Sequence, residues 1–148
     1  MNRKYFSVAV HLFLLNENKI LLLKRHNTGY EDGNYSVIAG HLDGKENVYK
    51  AIIREANEEA GIEIKTEDLR IVQVMHRYKP NDERIDYFFE CKKWKNEIFN
   101  NEPQKCSELK WNLINDLPDN TIGYIKYALL NYQNKNNFTL FGWENSLL

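Results

Sequence analysis

The segment "AGHLDGKENVYKAIIREANEEAGI", Ala39–Ile62, sets the expected architecture of the chain. A glycine-bearing turn leads into a run with helical apolar spacing. Gly61 follows, where a helix end favours a left-handed residue, so a helix is expected over 46–60. At about 100° per residue, Tyr49, Ile52, Ile53, Ala56 and Ala60 share one arc, the expected core face. Glu55, Glu58 and Glu59 share the next arc at i, i+3, i+4 spacing, where like charges repel by a few tenths of a kcal/mol per pair. Two readings account for that crowding. One is a solvated acidic face balanced by Lys50 and Arg54; the other is a seat for a hard divalent cation, which takes oxygen ligands.

Outward from the helix, "YFSVAVHLFLL" (5–15) and "KILLLK" (19–24) read as strands joined by the turn residues 16–18. The first run superficially imitates a signal peptide. His11 interrupts it and Asn16-Glu17-Asn18-Lys19 stand where small cleavage-site residues belong, so a buried strand is expected. "RHNTGYEDGNYS" reads as a polar loop, and 35–39 as a short strand. Segments 69–79, 84–92 and 108–114 are further strand candidates, 121–133 a second helix, and "FTLFGW" a short strand or a flap. Several strands with two helices point to an α/β fold with a mixed sheet covered on both faces.

The 148 residues suit one domain, 1–148, with one core. A net charge of −1 supplies no basic surface for long nucleic acid, yet suits a small phosphorylated ligand held through a metal. No apolar run is long enough to span a bilayer. Cys91 and Cys106 fit no zinc spacing and are expected as reduced thiols in a cytoplasmic protein.

Gly40, five residues, Glu46, seven residues, Arg54-Glu55-Ala56, one residue, Glu58-Glu59, one residue, Gly61-Ile62: this series resembles the Nudix box, G-x5-E-x7-R-E-U-x-E-E-x-G-U, where U is a bulky aliphatic residue. Ala56 is small for its place, and Ile38-Ala39-Gly40 and Asp43-Gly44-Lys45-Glu46 depart from the run common in relatives. The resemblance implies a Nudix-type α/β/α sandwich and hydrolysis of a nucleoside diphosphate linked to another moiety. The cofactor it implies is Mg²⁺, with Mn²⁺ as substitute. It places Glu58, Glu59 and the Ala39 carbonyl as metal ligands, Glu55 as ligand or base, and Arg54 as the group orienting the glutamates. Gly40, Glu46 and Gly61 would be structural. The expected substrate is a small nucleotide, most simply a nucleoside triphosphate, plain or oxidised, split to monophosphate and pyrophosphate. ADP-ribose or a nucleotide sugar is the alternative, and a non-catalytic nucleotide-sensing module the alternative of another class. A monomer and a homodimer are both open.

Outside the box, an acidic residue shortly before a tryptophan is common in relatives, so Glu108 before Trp111 is preferred over Glu102 as a further ligand. Arg25 is read as a phosphate contact or a surface ion pair, and Tyr35 as a base-stacking ring or a core residue. Asn120 reads as a purine contact or a plain N-cap. His26 and His41 read as structural or solvated, His11 as facing core or pocket, and His76 and Arg77 as ordinary strand positions.

Overall fold

The structure, a computed structural model, describes residues 1–143. Its strands are β1 (Ser7–Asn16), β2 (Lys19–Arg25), β3 (Tyr35–Ser36), β4 (Ile38–His41), β5 (Leu69–Lys79), β6 (Asp82–Cys91), β7 (Cys106–Leu113) and β8 (Phe138–Phe141). The helices are α1 (Val48–Ala60) and α2 (Gly123–Gln133).

β1 organises the sheet. It pairs with β2 only at Leu15↔Ile20 and Asn16↔Lys19, then takes β4 as its antiparallel neighbour along Ala9–Leu12. Its other side runs parallel to β6. β6 pairs antiparallel with β5, and β5 parallel with β8. β2 carries β3 and β7. The sheet is therefore mixed and forks where β2 leaves β1. Residues 35–41 cross the fork, since β3 belongs to β2 and β4 to β1, which carries Ala39 and Gly40 to the start of α1.

Both faces are covered, giving the expected α/β/α sandwich. Val10, Leu12 and Leu14 pack with Ile52, Ala56 and Ala60 of α1. Phe13 and Leu15 pack with Ile125, Ala128 and Leu129 of α2. A strand buried on both faces has no polar side to show, which is why its sequence resembled a leader.

Helix α1 starts later than expected, at Val48. Asn47 is its cap and accepts from the Lys50 amide at 3.0 Å; Glu46 lies outside the helix and accepts from the Asp43 amide at 2.9 Å. Gly61 ends it in the left-handed region, with φ 69°. The buried positions are Ala51, Ile52, Ala56 and Ala60, while Tyr49 and Ile53 are half-buried. The buried face is thus turned toward the glutamates, because β4 packs on that side.

Two strand irregularities change which side chains meet which face. A bulge in β5 between Ile71 and Gln73 puts Leu69 and Ile71 toward α1 but Met75 toward α2. A register shift between β2 and β7 opposes Glu108 to Lys24 and Cys106 to Arg25. Cys106 joins the core beside α1, while Glu108 turns the other way, to the Tyr35 hydroxyl. α2 begins at Gly123 with Ile122 as its cap, so Asn120 is not the cap. The segment before it is spent on β3: Tyr35 N–H donates to Asn120 O, and Ile122 N–H to Tyr35 O. Both cysteines are free and buried, as expected of thiols.

Candidate active site

The glutamate arc of α1 meets the backbone of β4. The Ala39 amide donates to Glu59 Oε2 at 3.0 Å. Gly40 lies so close to Glu55 that a Cβ there would overlap its carboxylate. Glycine at that point lets the Glu55 carboxylate keep its place. Gly61 is similarly crowded, by the Phe99 ring.

Arg54 ties this corner together. Its guanidinium donates to Glu46 through Nε at 3.1 Å and Nη2 at 2.7 Å, the bidentate geometry that makes such pairs strong. Nη1 donates to Glu55 at 2.8 Å and Glu58 at 3.2 Å, and Nη2 to the His41 carbonyl at 3.1 Å. The Arg54 guanidinium first, then the Asp43 amide, hold Glu46 down to about 2. Burial pushes Glu55 up, against the pull of Arg54. Burial, then the charge of Glu55, push Glu59 well above the usual carboxylate range.

These groups line a cleft of about 550 Å³ with Arg25, Ala39, Asp43, Glu102 and Lys105. Glu102, not Glu108, is the outer carboxylate that shares it; the β7 register points Glu108 to the opposite face. Among the described residues, no three His, Cys, Asp or Glu side chains converge on one metal position, since Arg54 stands between Glu55 and Glu58. The donor chemistry nonetheless fits a hard cation: carboxylate oxygens, two of them held in surroundings that disfavour their charge.

Arg25 lines the cleft, and its guanidinium also braces the following loop, donating to Tyr30 O at 2.7 Å and Thr28 Oγ1 at 3.0 Å. Tyr35 is a core residue rather than a cleft ring. Asn120 donates its amide to Gly33 O at 2.8 Å and lines neither this cleft nor the hollows beside it. The strand residue Arg77 lines those hollows instead, together with Tyr30 and Tyr124. His76 is a cross-strand partner of Glu83, as an ordinary strand position would be.

Residues 5–130 match the model of the family described as NUDIX domain. The chain belongs to the Nudix family. It is therefore a nucleotide pyrophosphohydrolase, an enzyme acting on acid anhydrides, and Nudix hydrolases generally use divalent metal ions. The fold is similar to that of a MutT Nudix hydrolase from Burkholderia pseudomallei, at TM-score 0.78 and 23% identity over 86% of this chain and 98% of that one. It is also similar to a MutT protein from Methanosarcina mazei Go1, at TM-score 0.77 and 18% identity over 92% and 99%. A third is a bifunctional NMN adenylyltransferase/ADP ribose pyrophosphatase from Francisella tularensis, at TM-score 0.71 and 19% identity over 91% and 43%. No curated protein sequence matches the chain. Among the described residues no helix is long and apolar enough to cross a membrane.

Two predictions follow from this corner of the Nudix fold. Gly40→Ala displaces only the end of a flexible side chain, so the protein folds with near wild-type stability. Because the displaced group is the Glu55 carboxylate, hydrolysis falls about a hundredfold, measured as kcat/KM beside a urea melt. Glu59 has a folded pKa above its unfolded value, so the folded state holds its proton more tightly. Its contribution to stability is present below about 4.5 and is lost as pH rises through the folded pKa. In EDTA, Glu59→Gln has a higher urea midpoint than wild type at pH 7.5, and the difference disappears near pH 4.

Proposed function

We propose that the chain hydrolyses a nucleoside triphosphate to the monophosphate and pyrophosphate, with Mg²⁺, or Mn²⁺ in its place, held by the α1 glutamates. The observation that carries this reading is the pair of half-buried carboxylates, Glu55 and Glu59, packed onto Ala39 and Gly40 at the floor of a cleft open to solvent. Such crowding disfavours the charged forms and is relieved by a divalent cation.

Glu58, Glu59, Glu102 and the Ala39 carbonyl are the oxygens offered to the metal, with Glu55 as a further ligand or as base. When bound, the metal screens phosphate charge and lowers the pKa of water. The chain's own residues do the rest. Arg54 fixes Glu55 by a charge-assisted hydrogen bond and is itself anchored by Glu46. Glu55, with its proton affinity raised by burial, is suited to take a proton from the attacking water. Water oxygen forms a bond to phosphorus, one P–O–P bond breaks, and pyrophosphate leaves. Arg25 and Lys105, which also line the cleft, present positive charge to the phosphates.

Incubation with Mg²⁺ and a panel of nucleoside triphosphates, nucleotide sugars and ADP-ribose, followed by product identification, tests the reading. Monophosphate and pyrophosphate are expected, and Glu55→Gln lowers kcat by about 10²–10⁴. Cleavage of ADP-ribose alone, to AMP and ribose phosphate, would replace it.

A further inference from the structure

The cleft does not end at the glutamates. Arg25 and Ala39 line both it and a neighbouring hollow of about 320 Å³, which adjoins another of about 290 Å³ on the α2 side of the sheet. The floor there is polar. Arg77 and Asp86 are buried side by side, Nε to Oδ2 at 2.8 Å and Nη2 to Oδ1 at 3.1 Å. The guanidinium lies over the Tyr124 ring, 3.6 Å from its centroid.

This pair is incompletely used. A guanidinium has five N–H donors, and Asp86 takes one from Nε and one from Nη2. Nη1 donates to no acceptor among the described residues. No buried side-chain nitrogen there lacks a partner, so Nη1 is the part of Arg77 open to the hollows it lines.

The neighbouring groups are locked. His11 Nδ1 faces the Tyr87 carbonyl at 3.4 Å, and Nε2 the Tyr124 hydroxyl at 3.0 Å. Burial holds this imidazole neutral, lowering its pKa to about 4. A carbonyl only accepts, so Nδ1 carries the proton and Nε2 accepts from Tyr124. Asp86 lies 3.8 Å from Nε2, beyond hydrogen-bond reach, and is committed to Arg77. The hollow therefore offers an incoming group fixed donors at Arg77 and an aromatic wall. Tyr30 forms part of that wall, with Arg25 and Lys79 over its ring at 5.3 and 5.1 Å.

We propose that this hollow receives the base of the nucleotide, and that Arg77 selects a 6-oxopurine, guanine or hypoxanthine, over the 6-aminopurine adenine. The inference rests on the nucleotide reading of the adjoining cleft. Guanidinium donors match the adjacent O6 and N7 acceptors of a 6-oxopurine; adenine sets an amino donor against them. Tyr30, exposed beside the hollow, supplies aromatic surface for the ring.

Calorimetric titration of the metal-free protein with GMP, IMP and AMP tests this without hydrolysis. GMP and IMP are expected to bind at least about tenfold more tightly than AMP. Tyr30→Ala, on an exposed loop, weakens all three, and Arg77→Lys, which keeps the charge beside Asp86, brings the three affinities together. Should Arg77→Lys not fold, the wild-type ratio and Tyr30→Ala decide. Equal affinities, or no binding of any of the three, overturn the inference. The triphosphate reading fails on a different result: GTP and ATP both left uncleaved while another nucleotide derivative is hydrolysed.

Discussion

Two carboxylates of α1, Glu55 and Glu59, are pressed onto the backbone of Ala39 and Gly40, and the arrangement of this end of the fold follows from that contact. It leaves no room for a side chain at Gly40 unless the Glu55 carboxylate moves. It turns the buried face of the helix toward its own acidic arc, so that Ala51 is enclosed while Tyr49 and Ile53 stay half-buried. It also demands a cation, and Arg54 answers with contacts to Glu46, Glu55 and Glu58 and to the His41 carbonyl. The fork of the sheet at β1 makes the contact geometrically possible, by carrying residues 35–41 from β2 across to the start of α1.

The site therefore works against stability. Burial raises the proton affinity of Glu55 and Glu59 and disfavours the charged form of each. A group in that condition is poised to exchange a proton or to accept a metal's charge. The second polar cluster, Arg77 with Asp86, His11 and Tyr124, sits on the other side of β1 in the same spirit: charge buried where apolar packing would serve the fold as well. The two clusters adjoin through Arg25 and Ala39.

Much of this was legible in the amino-acid order. The box spacing carried the helix, the acidic arc, the contacts of Arg54 with the glutamates and the left-handed Gly61, because each depends on residues within a few helical turns. Strand boundaries followed from apolar runs to within two residues at most ends. What escaped depends on irregularities with no local signal. A bulge in β5 reverses the facing of Arg77 relative to the start of its strand, so it read as an ordinary position. A register shift beside Ser107 turns Glu108 away and leaves Glu102 in the cleft. Asn120 looked like a cap, but its segment pairs with Tyr35 and the helix starts later. In each case a long-range pairing decided what local preference had left open.

The proposed metal site is the set of carboxylates on the α1 face joined by Glu102. Calorimetric titration of Mn²⁺ into the wild type, Glu59→Gln, Glu102→Gln and Glu108→Gln tests it most directly. Glu59→Gln and Glu102→Gln are expected to weaken binding by about tenfold or more, while Glu108→Gln titrates like wild type. Wild-type affinity in Glu59→Gln, or a loss in Glu108→Gln as large as in Glu59→Gln, would contradict it.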